Sequence, residues 1–166
     1  IEYSIDSIPW NPLPVKENVT SFSQLGISSW LVRTLAQAQI SPPPAIQVRA
    51  IPAILQGKNV IGRAKTGSGK TAAFALPLLE HLSRDPYGIF ALIITPTREL
   101  ALQIEEQFNI FGSSIRVNVC CIIGGQAFSI QSQQLDQRPH IVIATPGRLN
   151  DMLSRLGSAS FKRLRY

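Results

Sequence analysis

The residues best suited to chemistry lie in one run, Ala64-Lys65-Thr66-Gly67-Ser68-Gly69-Lys70-Thr71. Gly67 and Gly69 let the backbone curl, so that successive N–H groups can converge on phosphate oxygens. Lys70 can reach the β- and γ-phosphates of a nucleotide as a point charge. The Thr71 hydroxyl can ligate a Mg²⁺ carried by those phosphates. A generic phosphate loop opens with glycine, and here that position is Ala64. Such a loop works only between a strand and a helix, whose N-terminus adds partial positive charge. Residues 59–64 accordingly read as a strand, and 71–82 as a helix distorted near Pro77.

The elements around this loop follow from apolar periodicity and from breakers. A helix is expected over 28–38, with Leu31, Val32 and Leu35 on one face, ended by Ser41-Pro42-Pro43-Pro44. A second is expected over 45–56, bent at Pro52, and a third over 98–111. Apolar runs at 89–95, 117–123 and 141–144 read as strands, and Thr145-Pro146 as an N-cap followed by a first-turn proline. Strands alternating with helices predict a mostly parallel α/β sheet covered on both faces. Residues 1–20, with Pro9, Pro12 and Pro14, read as an extended leader, and 21–166 as one domain.

Composition narrows the classes further. With 166 residues, 45% of them hydrophobic and 16% charged, the chain can bury a core and is no disordered tail. A net charge of +6 favours polyanionic partners. The longest apolar run, 89–94, is too short to span a membrane, and no signal-peptide core stands near the start. The first residue is Ile1 and not Met, so the natural start is expected elsewhere. Adjacent Cys120 and Cys121 read as buried strand residues, not as a disulfide or metal site. His81 and His140 have no partner at catalytic or metal spacing. Phe108 and Phe111 read as core, and Lys162, Arg163 and Arg165 as a solvated face.

Several motifs in order resemble the DEAD-box RNA helicases. Ala64 at the head of the loop is that family's form of motif I, and Pro96-Thr97-Arg98-Glu99-Leu100-Ala101 looks like its motif Ia. Gly124-Gly125 resembles its GG motif, and Thr145-Pro146-Gly147-Arg148 its motif Ib. Upstream, Ile40 to Gln47 resembles the adenine-reading Q motif, with Phe22 where the family carries a further aromatic. Two departures stand out: Gln39-Ile40 replaces the usual Gly-Phe, and Pro44 replaces a Thr or Ser.

The resemblance implies an RecA-like P-loop NTPase fold that uses ATP and Mg²⁺. Phe22, Ile40, Gln47, Thr66, Gly67, Ser68, Gly69, Lys70 and Thr71 would then hold ATP, with Lys70 and Thr71 serving catalysis. A Gln47 carboxamide offers one donor and one acceptor face, which suits the N6/N7 edge of adenine. Pro96, Thr97, Arg98, Gly124, Gly125, Thr145, Pro146, Gly147 and Arg148 would grip the RNA sugar-phosphate backbone, with little sequence preference. Arg98 alone would more often pair with Glu105 or Glu106 of its own helix.

Ser29-Trp30-Leu31-Val32 and Asp85-Pro86-Tyr87-Gly88-Ile89-Phe90 are similar to a nucleolar subgroup acting in small-subunit ribosomal RNA maturation. That implies pre-ribosomal proteins as partners and a monomeric full-length parent. The family's Asp-Glu-Ala-Asp and Ser-Ala-Thr motifs and its second RecA-like domain do not occur in these residues. The sheet is therefore expected to lack its last central strands, and the isolated chain to be catalytically inactive and unstable. A non-catalytic RNA- or partner-binding short form, and an unrelated P-loop kinase, are the competing readings.

Overall fold

A computed structural model describes residues 18–166, so the leader expected over 1–20 lies almost wholly outside them. The helices are α1 (Ser29–Gln37), α2 (Ala45–Leu55), α3 (Lys70–Arg84), α4 (Arg98–Phe111), α5 (Phe128–Asp136) and α6 (Pro146–Leu156). The strands are β1 (Ala91–Ile94), β2 (Val119–Ile122) and β3 (Ile141–Ala144). All are parallel, in the order β1-β3-β2, with Ala91 and Val119 both level with Ile141.

The strands are apolar at every position, and both faces are covered except toward the end of β1, where Ile94 is 59% exposed. Side chains alternate between two cores, as the pleat requires. Ala91, Cys121, Ile141 and Ile143 join a larger core with residues of α1 to α4, including Leu35, Ile51, Leu76, Leu79, Phe108 and Phe111. Cys120, Ile122, Val142 and Ala144 turn the other way onto Leu135 of α5 and Leu149 and Met152 of α6. Both cysteines are free and buried, and burial raises both thiols, Cys120 to about 11. They are inert packing residues. This is an α/β RecA-like arrangement in part, with helices on both faces of a parallel sheet.

One expected strand does not form. Residues 59–64 run into the phosphate loop without pairing, and Ile61 is 60% exposed. A strand exists only as half of a ladder, and among the described residues no backbone hydrogen bond reaches this segment. The outer edge of β1, by contrast, carries the last residues of the chain. Tyr166 N donates to Phe90 O at 3.3 Å and Leu92 N to Tyr166 O at 2.9 Å, the pattern of a parallel ladder.

A buried carboxylate joins α1 to α3. Glu80 is 1% exposed, and it accepts from Ser28 N at 3.0 Å, Ser28 Oγ at 2.6 Å and Arg84 Nη2 at 3.0 Å. Ser28 is the N-cap residue of α1, so Glu80 satisfies an orphan N–H at that helix start. Burial by itself would raise the Glu80 pKa. The Ser28 bonds and Arg84 together outweigh it and hold the carboxyl below its ordinary 4.5. A depressed folded-state pKa gives stability that is present above the unfolded value and lost as pH falls through the folded one. Glu80→Ala is expected to cost about 2–4 kcal/mol at neutral pH, by loss of a buried network. Denaturant melts should show that gap closing in acid. A gap that is constant from neutral pH down to pH 3 would rule the ionised network out.

Candidate functional site

The phosphate loop is shaped as its residue types predict. Gly67 and Gly69 take left-handed φ values of 75° and 83°, and Gly69 is the N-cap residue of α3. Among the described residues, the N–H groups of Gly67, Gly69, Lys70 and Thr71 donate to no protein acceptor. Lys70 Nζ bridges the loop, donating to Ala64 O and to Lys65 O, each at 2.7 Å. A lysine has three N–H bonds, so one is left for a phosphate oxygen. Thr71 stands half-buried in the first turn of α3, and Thr66 is exposed on the loop.

Gln47 is tied to this loop. It lies in the first turn of α2 at 2% exposure, and its Nε2 donates to Gly69 O at 3.1 Å. A Cβ on Gly69 would stand 2.4 Å from that nitrogen, so only glycine permits the approach. Gln47 Oε1 and Ser68 Oγ are buried without a hydrogen-bond partner among the described residues. Unpartnered buried polar atoms at a loop of free N–H groups fit a nucleotide. Phe22 and Ile40, also expected at the nucleotide, both pack against the larger core. Phe22 is 3% exposed in a 3-10 turn, which leaves no ring face at the surface, and Ile40 is half-buried against the same cluster.

The second group of residues gathers in one cleft of about 500 Å³. Pro96, Thr97 and Arg98 reach it from the end of β1 and the start of α4, and Gly124 from the end of β2. Thr145, Gly147 and Arg148 come from the end of β3 and the start of α6. Gly125 and Pro146 are exposed beside them in the same two loops. The convergence follows from topology: in a parallel sheet all three loops emerge at one end. Thr97 caps α4, its Oγ1 accepting from Leu100 N at 3.2 Å, whereas the Thr145 side chain makes no cap bond at α6. Two helix N-termini therefore open on the cleft, a setting that favours anions.

Both arginines are placed by their neighbours. Cβ atoms built on Gly124 and Gly125 would each lie 2.7 Å from the Arg98 guanidinium, so that group rests on the glycine pair. Among the described residues Arg98 makes no ion pair, with Glu105, Glu106 or any other acid. Arg148 donates Nε to Gln131 Oε1 at 2.9 Å and Nη2 to Gln126 O.

A model of the DEAD/DEAH box helicases matches residues 44–166, which take in the loop and the whole cleft. The chain belongs to this family. It is 51% identical over 148 residues to a human protein named probable ATP-dependent RNA helicase DDX49, covering 89% of this chain and 31% of that one. It is 54% identical over 145 residues to ATP-dependent RNA helicase dbp8 of Schizosaccharomyces pombe, covering 87% and 32%. It is 50% identical over 151 residues to probable ATP-dependent RNA helicase Dbp45A of Drosophila melanogaster, covering 91% and 29%. The chain thus spans about a third of the length of these curated relatives.

Against the DEAD/DEAH box pattern, the Gln39 departure has a visible consequence. Gln39 sits at φ 58°, the left-handed region where glycine is unstrained. Pro44 is the N-cap residue of α2 and has no hydroxyl with which to cap it. Sequence reasoning missed two contributors to this helicase domain's site: Asp151, which with Glu99 of motif Ia adds acidic groups to the cleft wall, and Gln131, which bonds Arg148. Gln131 carried a signal. It shares a helix face with Leu135, a polar residue on an apolar stripe, but α5 itself was not predicted. Among the described residues no helix is long and apolar enough to cross a membrane, and no acidic, His or Cys cluster could hold a metal.

Proposed function

We propose that this chain is the ATP- and RNA-binding part of an ATP-dependent RNA helicase that acts on ribosomal RNA precursors in the nucleolus. One observation carries the reading. Residues drawn from three separate loops, seven of them expected to hold RNA, line one cleft at a single end of the sheet.

In this reading the free N–H groups of the loop and Lys70 hold the ATP phosphates, and Thr71 holds Mg²⁺ through its hydroxyl. Gln47 Oε1 accepts from the adenine amino group while Nε2 stays on Gly69 O, so adenine recognition and loop shape share one side chain. Guanine presents a carbonyl there and would face an oxygen lone pair. Thr97, Arg98, Gly124, Gly125, Thr145, Pro146, Gly147 and Arg148 contact phosphate and sugar, which makes binding indifferent to base sequence. ATP supplies the phosphoryl group whose loss ends one binding cycle. Closure on ATP and RNA, bending of the RNA and strand release belong to the full-length protein.

Phosphoryl transfer depends on placed charge, and the Asp-Glu-Ala-Asp carboxylates that the resemblance assigns to Mg²⁺ and the attacking water do not occur in these residues. The 166-residue chain alone is therefore expected to hydrolyse no more ATP than its Lys70→Ala variant, while the full-length protein shows RNA-stimulated hydrolysis. Turnover by the chain alone would show that catalysis needs nothing further, and a full-length protein indifferent to RNA would defeat the helicase reading. The ribosomal role rests on the Ser29-Trp30-Leu31-Val32 and Asp85-Pro86-Tyr87-Gly88-Ile89-Phe90 strings. Depletion of the protein should then make small-subunit rRNA precursors accumulate. Unchanged precursor levels would count against the role while leaving helicase activity intact.

A further inference from the structure

The Gln131 side chain is 0% exposed, and no role in the proposed reading uses it. It lies on α5, which packs on the face of the sheet opposite the phosphate-loop helix, and reaches the cleft through Arg148. Its Nε2 donates to Ile123 O at 2.8 Å and to Gln126 Oε1 at 3.1 Å. Its Oε1 accepts from Arg148 Nε at 2.9 Å. The orientation of the amide is not arbitrary. Ile123 O can only accept and an arginine can only donate, so nitrogen must face the strand end and oxygen the guanidinium.

The consequence falls on Arg148. Its Nε is held by Gln131 and one Nη2 proton by Gln126 O. Phe128 lies with its ring centroid 5.7 Å from Cζ. A guanidinium has five N–H bonds, and with two engaged in this way three are left for the cleft that Arg148 lines. A flexible arginine loses rotamer freedom when it binds phosphate; one already clamped has lost it beforehand.

We infer that Gln131 is a positioning residue for RNA binding: its carboxamide fixes the Arg148 guanidinium so that the remaining donors meet a backbone phosphate. This rests on the cleft being the RNA site. Ile123 O ties the clamp to β2, so the GG loop and the α6 N-terminus are held in one register by a single side chain.

The test is the affinity of the full-length protein for a short fluorescein-labelled oligouridine, across a salt series, with thermal melting and ATP-analogue affinity measured alongside. Arg148→Ala should weaken binding about tenfold and reduce the salt slope by about 0.7, the value of one single-strand phosphate contact. Gln131→Leu should reproduce most of that loss and of the slope change, and the double variant should be no weaker than Arg148→Ala. Losses that multiply in the double variant would mean that Gln131 acts on the fold and not through Arg148, and would overturn the inference. Should Gln131→Leu fail to fold, Arg148→Lys decides the matter. It keeps the charge but loses the Nε bond to Gln131, so it should bind as poorly as Arg148→Ala; near-native affinity would overturn the clamp. If Arg148→Ala leaves RNA affinity unchanged, the RNA reading of the cleft fails and the inference with it. If Arg148→Ala weakens binding and Gln131→Leu does not, only the inference fails.

Discussion

Lys70→Ala is expected to weaken ATP binding by about 30- to 100-fold and to lower turnover of the full-length protein by about 100-fold or more. Two losses combine. The first is the phosphate contact: Nζ is a charged donor beside free loop N–H groups, and charge-assisted bonds are roughly twice as strong as neutral ones. The second is internal. Nζ holds Ala64 O and Lys65 O at 2.7 Å each and so braces the loop from inside. The segment leading to it, 59–64, has no ladder bonds to stiffen it, which leaves Lys70 as a principal restraint on the loop's first half. Lys70→Arg should therefore restore charge but not function, since a planar fork cannot bridge two carbonyls and a phosphate as a rotating ammonium does. Titration with a fluorescent ATP analogue checks both variants. Affinity of Lys70→Ala within threefold of native would mean that the backbone N–H groups bind the phosphates unaided.

How much of this could be read from residues alone differs between levels. Helix α4 and strand β3 were legible to the residue, because Thr97 and Phe111 bracket one and a run of four apolar residues between His140 and Thr145 makes the other. The strand at 59–64 was not, because an apolar pattern reports what a segment could bury and not whether a partner lies beside it. α5 was missed because its sequence, Phe-Ser-Ile-Gln-Ser-Gln-Gln-Leu-Asp, offers its core only Leu135, a partly buried Phe128 and a buried glutamine. The shape of the loop and the gathering of the cleft residues were legible, since glycine and helix-cap residues are dictated by local geometry. Gln131 was not, because its value comes from Ile123 and Arg148, which only the folded chain brings together. Phe22 was assigned to the nucleotide by resemblance alone, and its place in the core, at 3% exposure, is something that spacing does not report.

Arg98→Ala is expected to weaken RNA binding about 10- to 100-fold, equally for every RNA sequence, and to reduce the salt slope by about 0.7. The alternative, a helix-surface arginine paired with Glu105 or Glu106, predicts almost no change, and among the described residues no such pair forms. A sharper form of the prediction uses the glycines beneath the guanidinium. A Cβ on Gly124 would lie 2.7 Å from Arg98 Nη2 and 3.1 Å from Cζ, and it would touch nothing closer than that side chain. Gly124 is absent from the positive-φ glycines, so alanine adds no backbone strain there, unlike at Gly125 with φ 89°. Gly124→Ala should thus leave melting almost unchanged, since the end of a flexible arginine can move aside. It should still displace the guanidinium from the cleft and lose most of the affinity that Arg98→Ala loses. The double variant should bind no worse than Arg98→Ala alone. Additive losses would mean that Gly124 meets the RNA directly and that the resting place of Arg98 on the glycine pair has no part in binding.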